Sequence, residues 1–171
     1  MTLKASRRAA IDPFIVMEVM RVANERAASG GDIIHMEVDQ PSTAAPVKVR
    51  DAARKALDRD LIGYTDALGL PALRRRIAQH YREFYDVEVP ASRIAVTTGS
   101  SGGFLLAFLA AFDPGDRVAL AMPGYPCYRH ILTALGLEPV LIETGPETKF
   151  QPTIAALEAI SGRLDGLIIA S

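Results

Sequence analysis

From Arg93 onward the chain alternates β-rich runs with helix-length segments, and this rhythm constrains the fold more than any other feature. Residues 94–98, 118–121, 139–143 and 166–170 read as strands. Residues 104–112, 128–135 and 154–160 read as the helices between them. Strands joined by helical crossovers of this length run parallel, because a tight turn can only join antiparallel neighbours. The expected fold is therefore α/β: a mostly parallel sheet with helices on both faces, a three-layer α/β/α arrangement. Asp113-Pro114-Gly115-Asp116 has turn chemistry and separates the first helix from the next strand. In open sheets of this type ligands gather outside the carboxyl ends of the strands. The loops after Thr98 and Ala121 are thus where chemistry is expected.

The first half of the chain has a different texture. Asp12-Pro13 reads as N-cap and first helical position, with Phe14, Met17, Val19 and Met20 following at helical spacing. Ser29-Gly30-Gly31-Asp32 stops that helix. Residues 33–38 are strand-like but short, and 39–46 form a loop. A helix is predicted over 47–59, burying Val49, Ala52, Ala53, Ala56 and Leu57. Residues 63–69 form a second loop, and Pro71 opens a helix to about Phe84 with Leu73, Ile77 and Tyr81 on one face. Arg74, Arg75 and Arg76 fan around it and read as a solvated face.

Composition removes several classes of function. The 49% hydrophobic content supports a packed core, and 19 Lys+Arg against 20 Asp+Glu give a net charge of −1. That balance leaves no basic footprint for nucleic acid or an anionic membrane surface. Cys127 is the sole cysteine, which rules out an internal disulfide and a cysteine-based zinc cluster. The longest apolar run, 102–112, is too short to cross a bilayer. Arg7, Arg8, Asp12 and Glu18 occupy the positions where a signal peptide needs apolar residues, so a cytoplasmic protein is expected. His35, His80 and His130 are too scattered for a metal site and read as surface or packing residues.

Two loops carry the chemical signal. Thr97-Thr98-Gly99-Ser100-Ser101-Gly102-Gly103 lies between a predicted strand and a helix. Its glycines let amide N–H groups approach a ligand, the helix start adds its dipole, and Ser100 and Ser101 add hydroxyls. This makes a phosphate cup, or else a tight βα turn without a ligand. The segment is neither a Walker A loop nor a G-x-G-x-x-G fingerprint. Pro123-Gly124-Tyr125-Pro126 follows the next strand on the same edge of the sheet. Tyr125 either walls a flat ring or packs against a neighbouring loop. A phosphate cup and an aromatic plate at adjacent strand ends together suit a phosphorylated aromatic cofactor. Cys127 beside them reads as a small packing residue.

With these motifs in order, the chain resembles the pyridoxal-phosphate-dependent aminotransferases of class I/II, the fold-type I group. The resemblance rests on Glu37-Val38-Asp39-Gln40-Pro41, on the stretch from Gly63-Tyr64-Thr65-Asp66 to Gly69-Leu70-Pro71-Ala72-Leu73-Arg74, on Val96-Thr97-Thr98-Gly99-Ser100-Ser101 with Asp113-Pro114-Gly115-Asp116, and on Pro123-Gly124-Tyr125-Pro126-Cys127-Tyr128. It implies that Gly99, Ser100 and Ser101 hold the phosphate of pyridoxal 5'-phosphate and that Tyr125 stacks on its ring. It also implies that Tyr64 reaches the phosphate in the other subunit of a homodimer. The implied substrates are an amino acid and a 2-oxo acid, with no nucleic acid or membrane partner. A lyase or decarboxylase of the same fold, or a non-catalytic aminotransferase-like regulatory module, are the alternatives.

Two departures accompany the resemblance. Asp39 stands where the family usually has Gly beside the substrate carboxylate; a carboxylate there repels an incoming one unless it turns away or the substrate differs, and a loop of relaxed geometry is the other reading. No lysine among Lys4, Lys48, Lys55 and Lys149 lies in a Schiff-base motif. The resemblance places that lysine, and with it the catalytic residues, beyond Ser171. The expectation is thus an N-terminal portion of a longer enzyme, inactive alone. Residues 1–45 would belong to the small domain and 46–171 to the first part of the large cofactor-binding domain.

Overall fold

The computed structural model describes residues 4–60 and 62–170. Ser171, the last residue before the expected continuation into the remainder of the cofactor site, lies outside the described residues. In chain order the main elements are α1 (Ile15–Ala28), α2 (Val47–Arg59), α3 (Pro71–Tyr85), α4 (Gly99–Ala111) and β1 (Arg117–Met122). They continue with α5 (Pro126–Leu135), β2 (Glu138–Glu143), α6 (Ile154–Glu158) and β3 (Gly166–Ile168). The chain divides into two compact units, Met1–Ile33 with Gly99–Ser171, and Ile34–Thr98.

The first unit holds the sheet, and it is parallel as predicted. Its order is β2-β1-β3, with β1 in the middle. Arg117 to Met122 pair with Glu138 to Glu143, and Val118 to Leu120 pair with Gly166 to Ile168. A central parallel strand is covered on both faces and so reads as a continuous apolar run. Val118 and Ala119 are fully buried, and Leu120 nearly so. Phe108 of α4 and Leu132 of α5 pack with Val118, Leu120 and Leu137 into the core. Gly166 makes room for Phe112, the residue that follows α4: a Cβ there would lie 2.4 Å from its Cζ.

Polar cross-ties gather at the amino ends of the strands. The Arg117 guanidinium donates through Nη1 to the carbonyls of Ser161 (2.8 Å) and Arg163 (3.0 Å), and through Nε to Glu138 (3.1 Å). The Arg117 N–H donates to the Asp165 carboxylate, and the Asp165 N–H returns to the Arg117 carbonyl. The Glu138 N–H donates to the Asp116 carbonyl, so the predicted turn at 113–116 also fixes β1 beside β2.

Two boundaries in this unit depart from the sequence reading. Helix α1 begins after extended Phe14, which makes no side-chain cap bond, so Asp12 does not cap it. Helix α4 begins at Gly99 rather than Phe104, so the Gly-Ser-Ser-Gly-Gly run is its first turn and not a loop. Glycine and serine weigh against helix by propensity. Here Gly99, at φ +81°, lets the chain turn into the helix at a conformation glycine adopts freely.

In the second unit α2 has the predicted bounds but not the predicted burial. Val49 and Leu57 are 57% and 72% exposed, and of the five expected core residues only Ala56 is half-buried. An α-helix satisfies its backbone internally, so its apolar stripe can exist without a cover. Residues 33–38 and 94–98 are not strands, because neither joins a ladder among the described residues, and the chain bends at Glu37, Val38 and Thr98. A strand is a pairing as much as a propensity. Arg74 departs from the solvated face predicted for the arginine triplet: it is half-buried and donates to the carbonyls of Ile94 and Ala91. Arg75 and Arg76 are exposed, as predicted.

Candidate functional site

The loop after β1 builds the best-defined part of the site. Gly124 allows a close turn, since a Cβ there would lie 2.6 Å from the Ala121 carbonyl oxygen. Pro126 then opens α5, leaving Tyr125 at its N-cap in extended backbone, at the carboxyl end of β1. Its side chain is half in solvent, 47% exposed. The Tyr125 ring meets Tyr128 edge-on with centroids 5.3 Å apart, and Tyr128 meets Phe104 edge-on at 4.8 Å. Phe104 lies one helical turn past Ser100. A ladder of rings therefore connects Tyr125 to the first turn of α4, where Gly99, Ser100 and Ser101 are exposed.

A cavity of about 190 Å³ opens at the carboxyl ends of β1 and β3, walled by Tyr125, Tyr128, Phe150, Gln151, Ile168 and Ala170. The Gln151 amide donates to the Ala170 carbonyl (3.0 Å) and ties the wall together. Lys149 and Phe150 both have positive φ, +53° and +58°, uncommon for residues other than glycine. Sequence reasoning missed Tyr128, Phe150 and Gln151 as wall residues. The i, i+3 spacing of Tyr125 and Tyr128 at a helix start was the available signal for Tyr128.

The electrostatics single out Tyr125. A hydrogen bond with Cys127 holds its phenol above the usual tyrosine range, with the charge interaction between the two, slight desolvation and Tyr128 adding to it. Cys127, read from sequence as a packing residue, therefore acts on Tyr125.

The donor set suits a phosphorylated aromatic ring. Tyr125 offers a half-exposed flat face beside a cavity, and the first turn of α4 offers outward N–H groups, a positive dipole end and two hydroxyls. A Cβ built on Gly99 would meet nothing within 4 Å.

The other predicted site residues belong to the second unit. Tyr64 is fully exposed on the 63–69 loop, whose turn is closed by the Gly69 N–H donating to the Asp66 carbonyl (2.8 Å). Asp39 is exposed and follows Glu37, which pairs with His35 Nδ1 at 2.7 Å. The His35 hydrogen bond, helped by the Glu37 N–H, holds the Glu37 carboxyl below the usual range. Among the described residues no cluster of His, Cys, Asp and Glu could hold a metal ion, and no helix is long and apolar enough to cross a membrane. His80 and His130 pack against aromatic rings, His130 on Phe14 at 5.8 Å and His80 on Phe84 at 5.2 Å.

The chain is similar to known proteins over nearly its whole length. The family model for aminotransferase class I and II matches residues 31–171. A valine–pyruvate aminotransferase of Mycobacterium tuberculosis is 51% identical over 171 residues, all of this chain and 44% of that protein. A (5-formylfuran-3-yl)methyl phosphate transaminase of Methanocaldococcus jannaschii is 31% identical over 161 residues, 94% of this chain and 41% of that protein. The crystal structure of an aminotransferase from M. tuberculosis superposes with a TM-score of 0.94 at 50% identity, over 99% of this chain and 44% of that one. Aspartate aminotransferase from Thermus thermophilus with maleate superposes with a TM-score of 0.89 at 29% identity, over 98% of this chain and 44% of that one. The chain thus spans less than half the length of these relatives. The parallel sheet, the ordered motifs and these matches together make the chain a member of the class I and II aminotransferase family.

Proposed function

We propose that this chain is the cofactor-anchoring N-terminal part of a pyridoxal 5'-phosphate-dependent aminotransferase, moving an amino group between an amino acid and a 2-oxo acid. It would act as a homodimer in the cytoplasm, with residues 1–45 in the small domain and 46–171 in the large one. The observation that carries the reading is the Tyr125–Tyr128–Phe104 ring ladder, which joins a cavity at the strand ends to the start of α4. Gly99, Ser100 and Ser101 would hold the cofactor phosphate through N–H groups and hydroxyls. Tyr125 would flank the ring, and Tyr64 would reach the phosphate in the partner subunit. When bound, the cofactor supplies the electron sink for chemistry at the substrate α-carbon.

What the chain's own groups do follows from their state. The Tyr125 phenol, held up by Cys127, stays protonated at neutral pH and keeps an O–H to donate. The first turn of α4 favours an anion over a neutral group. Asp39 places a carboxylate where the resemblance expects the substrate carboxylate, so the substrate-facing edge is where this chain departs from its family.

The 51%-identical relative is named for valine and pyruvate, which makes that pair the first to test. The complete reading frame carrying this chain, purified with pyridoxal phosphate, is expected to form alanine from pyruvate and valine. Ser101→Ala and Tyr125→Ala should each weaken cofactor retention about tenfold, the equivalent of one charge-assisted hydrogen bond or one ring contact. A protein that neither retains the cofactor nor transfers the amino group overturns the proposal. For the 171-residue chain alone no borohydride-stable label is expected; stoichiometric labelling at Lys149 would contradict that.

A further inference from the structure

Inside the 34–98 unit, the loop carrying Tyr64 is fastened to the segment that runs into Gly99. One fastening is direct. The Val96 N–H donates to the Leu68 carbonyl at 3.0 Å. Beside it, the Val96 side chain fills the space that a Cβ on Gly69 would need: such an atom would lie 2.7 and 2.8 Å from Cβ and Cγ2 of Val96. Gly69 sits at φ +92°, a conformation that itself favours glycine.

The second fastening comes from α3. Arg74 turns its guanidinium onto main-chain oxygens, donating from Nε to Ile94 at 2.8 Å and from Nη2 to Ala91 at 2.7 Å. A planar guanidinium presents several donors in a fixed fork, so one side chain can orient two carbonyls at once. Hydrogen bonds from an ionised donor are also stronger than neutral ones. Arg75 is exposed, and Arg76 faces Glu83 loosely at 3.6 Å. Of the three consecutive arginines, Arg74 alone is turned onto these two carbonyls.

We propose that Arg74 is a positioning residue for the cofactor phosphate. It sets the course of 94–96 and, through the Val96–Leu68 and Val96–Gly69 contacts, the course of the Tyr64 loop with it. The Tyr64 loop and the 94–96 segment thereby move as one piece rather than as independent stretches. This inference rests on the cofactor assignment proposed above.

The test compares wild type, Arg74→Ala, Arg74→Lys and Arg75→Ala in the complete reading frame. It reads amide hydrogen exchange, the pyridoxal phosphate dissociation constant by dialysis, and the phosphorus NMR signal of the retained cofactor. Arg74→Ala should speed exchange at 94–96 and over 63–70 together, weaken binding about tenfold, and shift or broaden the phosphorus signal. Arg74→Lys, which keeps a charged donor for one carbonyl, should recover part of the affinity, and Arg75→Ala should match wild type. Wild-type affinity and phosphorus signal in Arg74→Ala, or equal losses in Arg75→Ala, overturn the inference while leaving the proposed function standing. If Arg74→Ala does not fold, Arg74→Lys decides: faster exchange at 94–96 with an unchanged dissociation constant overturns it. Wild type that retains no pyridoxal phosphate overturns the proposed function and the inference together.

Discussion

Helix α2 and strand β1 both carry valine, alanine and leucine, and these side chains end in opposite situations. Val118 in β1 is wholly buried and Val49 in α2 is 57% exposed; Leu132 against the sheet is wholly buried and Leu57 in α2 is 72% exposed. The helix closes its own hydrogen-bond ladder and needs no neighbour to exist. The strand exists only through its partners, here β2 on one side and β3 on the other. An apolar stripe therefore states which face a helix would bury, whereas a formed central strand is already evidence of cover. Within the second unit, point contacts such as Arg74 on two carbonyls and Val96 over Gly69 take the place of a packed sheet.

Leu132→Ala tests that contrast most severely. It removes a fully buried side chain from the core and should cost about 2–5 kcal/mol in urea unfolding. A loss as small as that of an exposed leucine would break the comparison. Gly69→Ala comes next, at about 1–3 kcal/mol, since the new methyl meets Val96 and the backbone is left-handed. A neutral result would show that the Val96 contact is not a constraint.

A smaller effect is expected from Cys127→Ala, which removes the main cause of the raised Tyr125 phenol. Alkaline ultraviolet titration should show the Tyr125 transition moving down toward the ordinary tyrosine value of about 10. The sign follows from linkage: a phenol raised on folding adds stability fully present below its unfolded pKa and lost as pH rises through its folded pKa. Cys127→Ala should therefore lower stability at neutral pH, where that contribution is fully present, and flatten its loss as pH rises through the Tyr125 transition. Smallest of all, Leu57→Ala should change stability by less than about 0.5 kcal/mol; a loss like that of Leu132→Ala would show α2 to be covered in solution.

Much of the architecture was legible because crossover length dictates strand direction. β1 and β2 fall within a residue of the predicted bounds, and α2 matches them, bracketed by Pro46 and extended Asp60. Residues 33–38 and 94–98 misled because β-rich composition says nothing about whether a neighbouring strand is present. The start of α4 misled for the opposite reason, a glycine-serine run that propensity assigns to a loop. Of the candidate site, Tyr125 at a strand end was readable from order alone. The Cys127 bond to it, the Tyr128–Phe104 ladder and the Arg74 clamp were not, since each depends on where side chains meet across elements.

Arg117 and its neighbours tie β1, β2 and the approach to β3 at their amino ends, away from the cavity. Strand alignment is thus settled at the end of the sheet where no ligand is expected. The loops at the opposite end are free to drift in sequence without dragging the strands out of step. A lineage built this way can change what it recognises by small edits to those loops. Relatives named for valine and for aspartate, sharing this half of the fold at 51% and 29% identity, are what such latitude would leave behind.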